Sequence, residues 1–297
     1  MTILVTGAKG MLGRELVAEL SAGHEIIGVD IDRCDITDYK AVENLLGEVK
    51  PALVVHAAAF TDVEEAETQQ DKAFAVNSRG AGNVARASRT FGAGMFMIST
   101  DYVFDGAKQS PYLESDIPHP INIYGQSKLE GEKLSRKALP SVTVIRTAWL
   151  YGAGGNNFLS KILHAAVLRK KIAVVTDEVG SPTYAVDLAA GIRQLIERGA
   201  SRPLYHLSGG GSVSRYDLVK ELFSILKIDN CQLEPTTRDK YPALARRPAN
   251  SALESEFIGA DGFSLLRPWP EALRDFAEKN LKQEWRNLSR VRDERKQ

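Results

Sequence analysis

Thr2-Ile-Leu-Val-Thr-Gly7-Ala-Lys-Gly10-Met-Leu-Gly13 opens the chain with a β-branched and apolar run that leads straight into glycines at three-residue spacing. An amphipathic segment continues through Leu20, so the stretch reads as strand, glycine turn, helix. Glycines at such a turn let the backbone bend tightly and approach a pyrophosphate. The helix N-terminus adds free N–H groups and the positive end of its dipole. A second strand, Glu25 to Val29, ends in Asp30, at the distance where an acidic residue takes a pair of ribose hydroxyls. The prediction is an α/β fold with a Rossmann-type doubly wound parallel sheet. Gly7, Gly10, Met11, Leu12, Gly13 and Asp30 are its expected cofactor-binding residues.

Bulk composition removes several function classes. The 297 residues are 43% hydrophobic, enough for one large core or for a domain with a smaller partner. Lys+Arg and Asp+Glu both number 38, so the formal charge is zero and nothing recommends nucleic acid or a membrane surface. Cys34 and Cys231 lie far apart and form neither a zinc motif nor a disulfide framework, which fits a reducing cytoplasm. The first strand begins almost at Met1, and the apolar run from Ala52 to Phe60 is broken by His56, so neither a signal peptide nor a membrane span is expected.

Further strands extend the alternation. Leu53 to Ala57 reads as a buried parallel strand, followed by Ala58-Ala-Phe-Thr61, small residues beside which a cofactor could pass. The helix rich in Glu64, Glu65 and Glu67 is a solvated face, because no histidine accompanies it. A helix is expected from Lys72 to Phe91. Met95 to Ser99 is the next strand, and Thr100 and Asp101 just past it lie where open α/β sheets bind ligands. A proline-containing loop from Pro111 to Ile123 then delivers Tyr124-Gly-Gln-Ser-Lys128 onto a helix. At i and i+4 the phenol and the ammonium share one face. Thr100, Tyr124 and Lys128 form a catalytic constellation in which Thr100 hydrogen-bonds a carbonyl oxygen and Tyr124 protonates it. Lys128 is expected to lower the phenol pKa and to hold the cofactor ribose.

Thr143 to Thr147 is another strand, and Trp149 beyond it either packs in the core or offers its face to a sugar or base. After this point the alternation loosens. Expected elements are a turn at 152–157, a helix from Phe158 to Arg169, a strand from Ile172 to Val175 and a helix from Val186 to Ile196. A short strand from Leu204 to Leu207 and helices from Tyr216 to Leu226 and Leu266 to Phe276 follow. The two guanidinium groups of Arg246 and Arg247 could face a diphosphate or stay solvated. The expected division is a dinucleotide-binding domain over 1–150, with about 172–200 returning to it. A substrate-binding domain takes about 151–171 and 201–281. Residues 282–297, charged and poor in apolar side chains, are expected to be a frayed helix or a disordered tail.

The G-x-x-G-x-x-G spacing with the downstream Tyr-x-x-x-Lys resembles the extended short-chain dehydrogenase/reductase superfamily. Within it, Ala57-Ala-Ala-Phe-Thr61, Ser99-Thr-Asp-Tyr-Val-Phe-Asp-Gly106, Arg146-Thr-Ala-Trp149, Gly155-Asn-Asn-Phe158, Gly180-Ser-Pro-Thr183, Arg247-Pro-Ala-Asn-Ser251 and Arg267-Pro-Trp269 resemble the dTDP-4-dehydrorhamnose reductases, over residues 1 to about 280. The resemblance implies reduction of a dTDP-linked 4-keto-6-deoxy sugar by NADPH or NADH. It also implies that Asp35 and Ile36 cap the adenine ring, although locally Asp35 reads equally as a helix cap. Ala59, Phe60 and Thr61 would lie along the nicotinamide-side ribose and phosphates, and Asn77 would tie helix to sheet. Thr100 and Asp101 would contact the sugar, with Tyr102 and Trp149 flanking it. Asp30 favours NAD, whereas Lys9, Arg14 and Arg33 could accept the phosphate of NADP. Some members dimerise through magnesium; Glu15 matches one such ligand but no others are evident near Asp187, so no required metal is expected, and the protein is read as a monomer or homodimer. Two alternatives stay open, a non-catalytic NADP-binding subunit of the methionine adenosyltransferase type and a nucleotide-sugar epimerase or dehydratase.

Overall fold

A computed structural model describes residues 1–154, 157–240 and 243–294. In chain order its strands are β1 (Thr2–Thr6), β2 (Glu25–Val29), β3 (Leu53–His56), β4 (Gly94–Thr100), β5 (Thr143–Thr147), β6 (Leu150–Tyr151), β7 (Lys171–Val175), β8 (Val179–Gly180), β9 (Thr183–Tyr184), β10 (Leu204–His206), β11 (Val213–Ser214) and β12 (Gln232–Thr236). The main sheet is six-stranded and parallel, in the order β10-β5-β4-β3-β1-β2. The order reverses between β1 and β3, and that switch point is where such sheets open a crevice for ligands.

The helices are α1 (Met11–Leu20), α2 (Tyr39–Val49), α3 (Val63–Thr68), α4 (Gln70–Phe74), α5 (Ala81–Thr90), α6 (Ile123–Ala138), α7 (Phe158–Leu168), α8 (Ala185–Arg198), α9 (Arg215–Leu226), α10 (Trp269–Phe276) and α11 (Lys282–Glu294). Alternation along the strands sends side chains to two cores. Ile3 and Val5 of β1 pack with Leu12, Leu16 and Leu20 of α1 and with Leu188, Ile192 and Leu195 of α8. Leu4 between them joins Val42, Leu45 and Leu46 of α2 and Val84 of α5 on the opposite face. Both faces are therefore covered, which is why the strands read as near-continuous apolar runs.

A third core lies beyond the sheet, built from Leu159, Leu163, Ile172, Val174, Leu218, Leu222, Leu273 and Phe276. The organisation differs from the expected one in three places. β7 pairs with β12, not with the main sheet, so the chain returns to the large domain only at α8, which packs on α1. β10, expected in the substrate-binding part, instead completes the main sheet beside β5. Helix α10 begins at Trp269 rather than Leu266, because Pro268 is held extended and Gly210 pairs with its flanking residues. The C-terminal segment is helical to Glu294, with Trp285 packed against the third core. Residues 295–297 of the expected tail, and Gly155 and Asn156 of the expected turn, lie outside the described residues. Among the described residues no helix is long and apolar enough to cross a membrane.

Candidate active site

One cleft of about 730 Å³ runs across the carboxyl ends of β1, β3, β4 and β5 and is closed by the third core. The candidate catalytic, cofactor-binding and sugar-contacting residues line it, Gly7, Gly10, Met11, Leu12, Gly13, Asp30, Asp35, Ile36, Ala59, Phe60, Thr61, Thr100, Asp101, Tyr102, Tyr124, Lys128 and Trp149, whereas Arg246 and Arg247 do not.

The glycine turn is shaped by close backbone approach. A Cβ at Gly13 would fall 2.0 Å from the Gly7 carbonyl oxygen, and Gly7 itself has φ +70° with the Ala58 backbone against it. Gly10 caps α1 without a side-chain cap, and the first turn of α1 carries no acidic residue, so its N–H groups and dipole remain available to an anion. The cradle fits a pyrophosphate. Gly13→Ala is expected to abolish dinucleotide binding in a fluorescence titration and to lower stability by about 1–3 kcal/mol, the usual cost of forcing extra volume into packed backbone.

At the adenosine end the Asp30 carboxylate accepts hydrogen bonds from the backbone N–H of Lys9 at 2.9 Å and of Ile31 at 2.8 Å. The three nearby cations have partners. Lys9 pairs with Asp32 at 2.7 Å, Arg33 with Glu48 at 3.3 Å, and Arg14 donates to the carbonyls of Lys9 and Gly154. Asp35 accepts from the Thr37 amide and hydroxyl as a local turn, and the buried Ile36 presents an apolar wall. Asn77 sits in a π-helical turn over Ala75–Gly80 that interrupts the expected helix between α4 and α5. Its amide holds Phe60 through both backbone groups and donates to Ser127 at 3.0 Å, fixing the cofactor-side loop to α6.

The reacting end is assembled by β4 and α6. Asn122 caps α6 by accepting from the Gly125 amide, which starts the helix one residue before Tyr124. The Tyr124 ring meets Tyr102 edge-on at 5.9 Å. Thr100 donates its hydroxyl to Asp101 at 2.9 Å. Lys128 is buried and donates to the Ile98 carbonyl at 2.6 Å. Burial lowers its ammonium to about 8, against the partly offsetting charge of Glu132.

Here the structure corrects one expectation. Tyr124 is shifted upward, not downward: burial disfavours the phenolate, and a hydrogen bond with Thr100 offsets this only in part. The phenol lines the cleft and is half-buried, and Lys128 directs its charge at the Ile98 carbonyl.

Asp101, only 3% exposed, is raised to about 6 by burial, which neighbouring Thr100 and Ser251 hydroxyls and the Arg215 charge offset only in part. Its folded pKa lies above its unfolded value, so the folded state holds the extra proton and stability falls as pH rises from about 4 to about 6. At 1.36 kcal/mol per pKa unit this amounts to on the order of 3 kcal/mol. Asp101→Asn is expected to raise the denaturant midpoint at pH 7 and to flatten its decline over that interval.

Trp149 has φ 43°, a backbone conformation unusual for a bulky residue. A Cβ at Gly180 would come 2.2 Å from Trp149 Cε2, and the indole N–H donates to Ser251 at 3.1 Å. Among the cleft residues not anticipated, Arg215 and Thr147 carry polar groups beside the reacting end. Arg215, the first residue of α9, stacks its guanidinium 3.5 Å from the Trp149 ring centroid. Thr147 lies beside Thr100 in sheet register with its buried hydroxyl lacking a partner among the described residues. Thr147 ends β5 as Thr100 ends β4, a strand-end signal that could have found it, whereas an Arg at a helix start carries no local signal of this kind. Asp187 is bound by Arg267 at 2.7 Å. Among the described residues no three His, Cys, Asp or Glu side chains group as a metal site.

Comparison with known proteins agrees with this geometry. The family described as RmlD substrate binding domain matches residues 1–282. A dTDP-4-dehydrorhamnose reductase of Mycolicibacterium smegmatis is 38% identical over 278 residues, 92% of this chain and 84% of the relative. A dTDP-4-keto-6-deoxy-D-glucose reductase of Streptomyces niveus is 38% identical over 272 residues, 91% of this chain and 94% of the relative. The crystal structure of the Bacillus anthracis dTDP-4-dehydrorhamnose reductase in complex with NADP superposes with a TM-score of 0.90 at 37% identity, covering 94% of this chain and 99% of that one. The chain belongs to the RmlD substrate binding domain family, together with the dTDP-4-dehydrorhamnose reductases.

Proposed function

We propose that this chain reduces the 4-keto group of dTDP-4-dehydro-L-rhamnose to dTDP-L-rhamnose with NADPH or NADH. The observation that carries the reading is one cleft that joins the glycine cradle of Gly7 to Gly13 with Thr100, Tyr124 and Lys128. A bound nicotinamide supplies the hydride to the carbonyl carbon. Tyr124 gives the proton to the carbonyl oxygen, and Thr100 hydrogen-bonds that oxygen. The raised Tyr124 pKa keeps the phenol protonated at neutral pH, as a proton donor must be, although it makes the phenol a weaker acid than one matched to the working pH. Lys128 holds ribose hydroxyls; Asp30, Asp35 and Ile36 take the adenosine end, and Ala59, Phe60 and Thr61 the nicotinamide-side ribose and phosphates. Asp101, Tyr102 and Trp149 surround the sugar. Arg246 and Arg247 line a second cavity of about 460 Å³ with Arg238 and Glu178, which supports a place for the nucleotide diphosphate.

Asp30 disfavours a ribose 2′-phosphate, whereas Lys9 and Arg33, held only by exposed ion pairs, can turn to accept one. The reading takes the protein as a cytoplasmic monomer or homodimer that needs no metal. Loss of nicotinamide absorbance with freshly made dTDP-4-dehydro-L-rhamnose and each cofactor in turn tests it. Stoichiometric consumption supports the reductase and excludes an enzyme that recycles its hydride. Cofactor binding without turnover transfers the assignment to an NADP-binding subunit, and turnover only with the dTDP-4-keto-6-deoxy-D-glucose substrate changes the sugar.

A further inference from the structure

Arg215 is placed against its own helix. It is the first residue of α9, where the dipole and the free N–H groups favour a negative charge, and Ser214 and Asp217 already serve that end. A cation there is disfavoured by α9 itself, so its placement is set by something outside the helix. The side chain is 15% exposed and lies against a carboxylate, Glu178, 3.6 Å away and 10% exposed. No side-chain hydrogen bond to a described residue occupies its guanidinium. Its contacts are instead aromatic: the guanidinium carbon is 3.5 Å from the Trp149 ring centroid and 4.7 Å from that of Phe158.

Trp149 needs such a restraint. Its backbone is in the left-handed region, and its indole is fixed at Gly180 by close packing and at Ser251 by one hydrogen bond. A bulky residue persists in such a conformation only when its surroundings over-determine it, and such residues cluster at functional sites. Arg215 is the charged member of the surroundings, and it lines the same cleft as Trp149 and Asp101.

We propose that Arg215 is a positioning residue for the sugar half of the substrate: stacked on Trp149 and anchored by Glu178, it fixes the indole as a rigid wall of the sugar site. The proposal rests on the keto-sugar reading of the cleft. Planarity is what the role demands, because a flat guanidinium matches an aromatic face over its whole area while an ammonium is a point charge on a flexible stem. Fixing the wall before binding lowers the ordering cost when the sugar arrives. The effect therefore falls on KM for the sugar nucleotide, not on the proton transfer from Tyr124 or on the dinucleotide.

The test measures kcat, KM and dinucleotide affinity for wild type, Arg215→Gln, Arg215→Lys, Trp149→Phe and the Arg215→Gln/Trp149→Phe double variant. Arg215→Gln is expected to raise KM for the keto sugar about tenfold, with kcat and dinucleotide affinity within about twofold of wild type. Arg215→Lys is expected to recover less than half of that loss on a logarithmic scale, and the double variant to be no worse than the poorer single variant, because both changes remove one shared contact. Full rescue by Lys would mean that charge alone matters, and multiplied effects in the double variant would mean that the two residues act separately; either overturns the proposal. Equal losses in kcat and in dinucleotide affinity would mark Arg215 as merely structural and overturn it too. If wild type itself fails to turn over any dTDP-4-keto sugar, the functional reading fails before the variants are compared.

Discussion

Tyr124→Phe lowers kcat by about 10²–10⁴-fold and leaves dinucleotide affinity unchanged, the range lost when a positioned general acid is removed. The substitution deletes one oxygen and preserves the ring that meets Tyr102 at 5.9 Å, so α6 and the cleft wall keep their packing. Single-turnover rates with saturating cofactor measure the effect on chemistry alone. The direction of the phenol pKa adds a second observable. Because burial holds Tyr124 above its ordinary value, the acid stays protonated through the neutral range, and no alkaline limb from the phenol is expected below pH 9. Lys128, lowered to about 8, is the group that loses its charge there. A decline in turnover near pH 8 is therefore assigned to Lys128, and it should remain at the same pH in the slow Tyr124→Phe protein. A decline that vanishes in that variant would return the titration to the phenol.

Much of this was legible because local patterns and tertiary roles coincide. The β1 turn α1 unit is marked by apolar run, glycine spacing and helical period, and nothing distant is needed to recognise it. Tyr124 and Lys128 share a helix face by spacing alone, and Thr100 lies at a strand end where parallel sheets place ligands. Misreadings arose where the partner decides. Lys171–Val175 looks like any short buried strand, and its partner Gln232–Thr236 carries a glutamate and a proline that hide it, so the sheet to which β7 belongs could not be told. The downward shift expected for Tyr124 weighed the lysine charge and not the burial of the phenol. The structure instead leaves Tyr124 half-buried beside a buried Lys128 whose ammonium is engaged by the Ile98 carbonyl. Arg215 was invisible for a related reason, because its meaning comes from Trp149, sixty-six positions earlier in the chain. The C-terminal helix is anchored by one aromatic residue, Trp285, in a stretch otherwise too charged to suggest a packed face.

Glu132→Ala is expected to destabilise the fold by about 3–5 kcal/mol, the cost of leaving one member of a buried ion pair alone. Arg146 donates to both Glu132 oxygens, at 3.0 and 2.8 Å, and Ser99 donates to the same carboxylate at 2.6 Å. Both charged side chains are 4% exposed, so solvent screening does little to soften the loss. Burial alone would raise the Glu132 carboxyl; the Arg146 charge and hydrogen bonds from Arg146 and Ser99 outweigh it and leave the pKa below its ordinary value. A depressed folded pKa contributes stability above the unfolded value and loses it as pH falls through the folded one, so the pair strengthens the protein at neutral pH and weakens with acid. Denaturant midpoints at pH 7 and in acid measure both statements. Replacing both partners by apolar residues, Glu132→Leu with Arg146→Met, should restore most of the loss, since neither charge is then stranded. The double variant should still differ in the active site. Glu132 lies one helical turn beyond Lys128 and partly offsets the burial that lowers its ammonium, so removing that carboxylate lowers Lys128 further. A protein with stability recovered and the alkaline decline in turnover moved to lower pH would separate the two roles of Glu132. A loss under 1 kcal/mol in Glu132→Ala, or an unmoved decline in the double variant, would contradict them one at a time.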